Sequence, residues 1–180
     1  MLLYDRRRLV RAAAAALAVA AIPARARAAR TPAFEKTLSL YNLHTRERTT
    51  ARFWIDGADD FTGLAEIDYV LRDFRTGEVR PIDRRILHLL HALRRDLDSG
   101  AAYEVISGYR SPKTNAELRA NGRSVARRSY HMAGMAIDVR LPGRDTVALR
   151  DAARRRRAGG VGHYPRYDFV HLDTGPVRHW

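Results

Sequence analysis

The sequence predicts an α+β domain, a small antiparallel sheet with flanking helices, on three observations. A period-two alternation near residue 40 reads as a hairpin, and a helical period over Asp83 to Leu97 reads as an amphipathic helix. The remaining apolar runs are short strands interleaved with short helices, which pack as helices against a sheet. The chain of 180 residues, 46% hydrophobic and 29% charged, suffices for one domain with its own core.

Residues 1–28 read as a leader rather than as part of that core. Arg6-Arg7-Arg8 precede an apolar run from Ala12 to Ile22 and a small-residue ending at Ala26-Arg27-Ala28, the order of a cleavable secretory signal. The stretch Asp5 to Arg11 resembles a twin-arginine signal, which implies a periplasmic or otherwise exported mature chain from residue 29 to 180. The apolar run is too short to span a bilayer, so contact with a membrane is peripheral at most.

In the mature chain, Lys36 to His44 and Thr49 to Ile55 form the hairpin, joined by a polar turn at Thr45 to Arg48. Phe61 to Phe74 carries Leu64, Ile67, Val70 and Leu71 on a helical period. Asp83 to Leu97 does so more clearly, with Ile86, Leu87, Leu90, Leu93 and Leu97 on one face and Asp83 as its cap. Tyr103 to Ser107 is a short buried strand, Pro112 to Ala120 a helix with proline in its first turn, and Ala136 to Arg140 another strand. A helix over Asp145 to Arg157 ends in a run of arginines, where the helix dipole favours cations, before Gly159-Gly160. Val161 to Tyr164 and Phe169 to Asp173 close the set as strands.

Composition narrows the chemistry. There is no cysteine, which excludes disulfides and thiolate ligands and leaves any metal to His, Asp or Glu. The formal net charge of +13 raises nucleic acid as a partner. The basic residues are almost all arginine and are spread along the chain with no recognition helix or aromatic platform, so no nucleic-acid partner is expected. A basic exported domain suits anionic wall polymers instead.

Three segments carry side chains whose types make sense together. In Ser129 to Asp138, Gly134 permits a close turn between a loop histidine, His131, and a strand carboxylate, Asp138. In Phe169 to Asp173, His171 and Asp173 share one strand face. In Ser107 to Ser111, a strand ends in a glycine turn that presents Arg110, whose fork of donors suits a carboxylate or a developing oxyanion. A His-Asp-His set would leave zinc the open position that hydrolysis requires. His88 and His91, three apart on the helix, also bear the geometry of a metal pair, but no third ligand lies near them in the sequence, and they read as boundary residues.

At these residues the chain resembles the zinc D-Ala-D-Ala peptidase superfamily, whose fold is shared with lysostaphin and sonic hedgehog. Its pattern Ser-x-His-x-x-Gly-x-Ala-x-Asp is matched in full by Ser129 to Asp138. Within that superfamily the chain is most similar to the YcbK-type murein endopeptidase group, through Asn42 to Thr45, Ile106 to Ser111, Asn115 to Arg119, Gly159 to Gly162 and the ending Phe169 to Trp180. The resemblance implies Zn2+ held by His131, Asp138 and His171, a role for Arg110 near the scissile group, and peptidoglycan stem peptides and cross-links as substrate. For the general base it points to Asp168, three residues before the last metal histidine, with Asp173 as rival, either as base or as a partner orienting a ligand histidine. The alternative is a zinc-stabilised wall-binding module without turnover.

Overall fold

The chain opens into a sheet along the alternation of its first strands. A computed structural model describes residues 34–122 and 125–180; the leader read over residues 1–28 lies outside them. Strands β1 (Glu35–Asn42) and β2 (Arg48–Ile55) form the expected antiparallel hairpin, and β3 (Ala58–Asp59) extends it by a short bridge that no alternation marks. The turn between β1 and β2 is pinned by Asn42, whose Oδ1 accepts from the N–H groups of His44 and Thr45 while its Nδ2 donates to the Val70 carbonyl.

Helix α1 (Phe61–Val70) begins at Asp60, whose carboxylate accepts from the N–H groups of Thr62 and Gly63. It stops at Val70, short of the expected Phe74. The Leu71 carbonyl accepts from Tyr109 N–H, and Asp73 accepts from Ser111 and Arg75 N–H, so these backbone and side-chain groups serve the neighbouring loop instead of another helical turn. Helix α2 (Arg84–Asp96) is capped by Asp83 as expected. Helix α3 (Pro112–Ala120) is capped by Ser111 with Pro112 in its first turn, and α4 (Thr146–Arg156) by Asp145.

Strands β4 (Tyr103–Ser107), β5 (Ala136–Arg140), β6 (Gly160–Tyr164), β7 (Phe169–Asp173) and β8 (Arg178–His179) complete one sheet of order β3-β2-β1-β4-β5-β7-β6-β8. The α+β class is as the sequence predicts, but the sheet is larger than expected and mixed. Strands β1 and β4 run parallel, as do β6 and β8. The first parallel pair follows from the long crossover through β2, β3, α1 and α2 that separates its members.

Alternation along the central strands sorts the side chains to two faces. Tyr103 and Val105 of β4, Ile137 and Val139 of β5, and Val170 and Leu172 of β7 join one core with Leu64 and Ile67 of α1, Ile86, Leu87, Leu90 and Leu93 of α2, and Leu149 of α4. Asp138 of β5 and Phe169, His171 and Asp173 of β7 therefore point to the other face, away from those three helices. That face carries the polar site.

Candidate metal centre

Register brings the first two residues together. Asp138 on β5 stands directly opposite His171 on β7, with Ser107 of β4 on its other side and Gly162 of β6 beyond His171. Directly opposed residues of an antiparallel pair lie close enough for their side chains to meet, and Asp138 Oδ1 is 2.7 Å from His171 Nδ1.

The third residue arrives on a turn. A single 3-10 turn, Tyr130–Ala133, begins at Ser129, whose Oγ accepts from His131 N–H, and ends at Gly134 in the left-handed region at φ 70°. A side chain at 134 would meet the Pro81 carbonyl at 2.5 Å as well as a strained backbone, so both the turn and its packing require glycine there. His131 thereby enters from above the strands, with its Nε2 3.3 Å from both Asp138 Oδ2 and His171 Nδ1. The donor atoms of His131, Asp138 and His171 all lie within 4.8 Å of one another, and all three residues are largely buried.

The hydrogen bonds on the far sides of the two rings decide which nitrogens face inward. His131 Nδ1 is 2.7 Å from the Gly108 carbonyl, which can only accept, so this nitrogen carries the proton and Nε2 offers its lone pair. His171 Nε2 is 3.1 Å from Asp173 Oδ2, which in the same way leaves Nδ1 as the donor atom of a neutral ring. Two imidazole lone pairs and a carboxylate converging on one point fit a divalent cation, and the ring orientations are those that such a cation needs.

Burial works against the Asp138 charge, but His131 and His171 outweigh it and hold the carboxyl well below the usual range. Burial disfavours the His171 imidazolium, yet Asp138 and Asp173 push its pKa up to about 9, so the ring is cationic at neutral pH and a metal bound there would have to displace its Nδ1 proton. Asp173 is fully buried. Despite that burial it is kept ionised by His171, by both terminal nitrogens of Arg178, and by the N–H groups of Gly175 and Gly160.

A cavity of about 670 Å³ opens over the three residues. Arg110 lies in its wall, its Nη2 4.0 Å from Asp138 Oδ2; Nη1 and Nη2 donate to Asn115 Oδ1 and Ser107 Oγ. Burial draws its pKa down, opposed by the Asp138 charge. Neither Asp168 nor Asp173 is among the residues that line the cavity. Asp168 stands at the end of the 3-10 turn Pro165–Tyr167, exposed, with its carboxylate 2.9 Å from Arg140 Nη1.

His88 and His91 are not brought to a third ligand. The Nζ of Lys36 donates to His88 Nδ1, His91 Nδ1 donates to the Thr37 carbonyl, and burial lowers both pKa values. The cavity also contains residues to which the sequence assigned no role: Tyr130, Tyr164, Tyr167, Arg178 and Trp180. Trp180 pairs through its backbone with Val161 and His163, donates from Nε1 to Tyr164 Oη, and sets its ring 5.4 Å from that of His171. Room for it comes from Gly162, where any Cβ would fall 2.5 Å from the indole. Gly159 and Gly160, in the same run, give room instead to Asp173 and Arg178.

Comparison with known proteins gives the family. The family model described as peptidoglycan L,D-endopeptidase MepK matches residues 30–180. The peptidoglycan L,D-endopeptidase MepK of Escherichia coli strain K12 is 41% identical over 176 residues, covering 98% of this chain and 97% of that protein. The probable peptidoglycan L,D-endopeptidase MepK of Haemophilus influenzae is 39% identical over 146 residues, 81% of this chain and 78% of its own length. With matches of this length and identity, the chain belongs to the peptidoglycan L,D-endopeptidase MepK family and is a metallopeptidase.

Proposed function

We propose that the protein is a zinc-dependent murein endopeptidase that cleaves peptide cross-links of the bacterial wall, preferentially the L,D kind between two diaminopimelate residues. The observation that carries this reading is the convergence of the His131, Asp138 and His171 donor atoms on the floor of an open cavity, with Arg110 beside them. Mixed imidazole and carboxylate donors without thiolate suit zinc, and three protein ligands leave a position open. Bound there, zinc would supply a Lewis acid and lower the pKa of a water molecule toward about 7. The L,D preference rests on the similar proteins of Escherichia coli and Haemophilus influenzae, which are named L,D-endopeptidases.

The chain's own residues supply orientation and charge. The Gly108 carbonyl and the Asp173 carboxylate fix the two histidine rings, so little reorganisation accompanies substrate binding. Arg110, held by Asn115 and Ser107, steadies the carbonyl oxygen of the scissile amide as negative charge develops on it. Asp173, saturated with five hydrogen bonds, acts through His171 as a positioning residue rather than as a base. Asp168 braces Arg140, which also pairs with Glu104, and so supports the edge of the site.

The same reading places the protein in the periplasm, where its substrate is. Arg6, Arg7 and the Leu9-Val10 couple support export of the folded chain by the twin-arginine route. No helix among the described residues is long and apolar enough to cross a membrane.

The test uses muropeptide dimers of defined linkage. The zinc-loaded protein should convert a dimer joined between two diaminopimelates into monomers, faster than one joined through D-alanine, and chelation should stop both. Intact dimers after prolonged incubation with loaded protein would overturn the endopeptidase reading.

A further inference from the structure

Among the charged groups lining the cavity, Arg110, Arg128 and Arg178 face a single carboxylate, Asp138. The walls are therefore cationic before any metal is counted, and complement an anionic ligand. The three arginines differ in what they can still offer. Arg110, beside Asp138, is the group already assigned to the scissile carbonyl oxygen, and Arg128 is exposed.

Arg178 is both held and open. Its Nη1 and Nη2 end grips Asp173 at 3.1 and 2.7 Å, and Nη1 also donates to the Pro176 carbonyl at 3.1 Å. A guanidinium has five N–H groups, so these contacts use three of them. The remaining two, on Nε and Nη2, share one side edge and have no protein partner among the described residues. Two parallel N–H groups on one edge are the fork that matches a carboxylate. The rings of Tyr130 and Trp180 lie 5.1 and 5.0 Å from the guanidinium carbon, and Trp180 in turn lies beside His171. The open edge is thus immobilised near the metal residues, which lowers the entropic cost of using it.

We infer that the Nε/Nη2 edge of Arg178 receives a substrate carboxylate, the one carried by the residue that supplies the scissile nitrogen. The inference rests on the endopeptidase reading and deepens it. In a cross-link between two diaminopimelates, the amine-donating centre bears a free carboxylate one carbon from the scissile nitrogen, so a single ligand spans the metal residues and Arg178. A carboxamide at that centre presents one donor pair to an edge that itself only donates. Amidated cross-links should therefore be poor substrates.

The experiment compares two dimers that differ only in carboxylate or carboxamide at that centre, by the ratio of their kcat/KM values. The wild-type protein should favour the carboxylate by roughly 10- to 100-fold. In Arg178→Gln the ratio should collapse to about one, whatever happens to the absolute rates through Asp173. Because both substrates meet the same enzyme, partial loss of metal cancels from the ratio. Calorimetry with the chelator-treated full chain supplies a readout independent of turnover and of the variant's folding. The amine-side tripeptide product should bind the wild type more tightly than its amide by a similar factor. A wild-type ratio near one, a ratio unchanged in Arg178→Gln, or equal binding of the two tripeptides would overturn the assignment. If neither dimer is cleaved yet the tripeptides are discriminated, the endopeptidase reading fails and the carboxylate site stands.

Discussion

At the scale of single residues, the proposed function rests on groups that hold the candidate ligands as well as on those that would meet the substrate. Asp173 is the case that separates two roles. If it positions His171, Asp173→Asn should lower zinc affinity by roughly 10- to 100-fold, measured by competition with a chromogenic chelator, because the acceptor that orients the ring loses its charge. Affinity unchanged with turnover abolished would instead make Asp173 the proton acceptor. Arg110→Ala should lower kcat by roughly 10²-fold with zinc still bound, as loss of a preorganised oxyanion donor does; a KM effect alone would confine Arg110 to ground-state binding. His131, Asp138, His171 and Arg110 were legible as candidates because each falls in one of three short segments, Ser129 to Asp138, Phe169 to Asp173 and Ser107 to Ser111, whose residue types make sense together. The surroundings of Asp173 were not, since a strand pattern says which face a side chain takes but not that Gly160, Gly175 and Arg178 converge on it.

At the scale of elements, the loop from Leu71 to Phe74 shows why α1 ends early and what the ending supplies. Asp73, almost fully buried, accepts from Ser111 N–H at 2.8 Å, and Ser111 caps α3 one residue after Arg110. The carboxylate thus fixes the backbone that presents Arg110. Burial opposes its charge, but Thr114, Ser111 and the N–H groups of Ser111 and Arg75 win and lower its pKa. A carboxyl whose folded-state pKa is depressed contributes stability that is present above its unfolded value of about 4 and is lost as pH falls through the folded value. Asp73→Asn should therefore cost about 1–3 kcal/mol in urea unfolding at pH 7, and the gap from wild type should narrow as pH falls below about 4. A gap that is constant with pH would remove the charge from the explanation. The helix starts were readable because caps are local chemistry at Asp83, Ser111 and Asp145. The early stop of α1 was not, because the groups competing for Leu71 and Asp73 come from residues almost forty positions away.

At the scale of the whole molecule, one sheet serves two purposes through its alternation. One face of β4, β5 and β7 joins the hydrophobic core under α1, α2 and α4, and the other carries Asp138, His171 and Asp173. The sequence announced this division, since polar ligands alternate with Ile137, Val139, Val170 and Leu172. It did not announce the parallel pairing of β1 with β4, which depends on how a long crossover returns. The candidate metal site joins two adjacent interior strands of the sheet, β5 and β7, to the turn Tyr130–Ala133, so ligand binding there would be coupled to global stability. A ligand that binds only the folded state at 100 times its dissociation constant adds about 2.7 kcal/mol. For a domain of about 150 residues each kcal/mol shifts Tm by about 2–4 °C, so removing zinc with a chelator should lower Tm by roughly 5–10 °C. The double variant His131→Ala/His171→Ala should melt at one temperature with or without zinc. If chelation leaves the wild-type Tm in place while demonstrably removing the metal, the three residues do not couple that metal to the fold, and its ligands must be sought elsewhere.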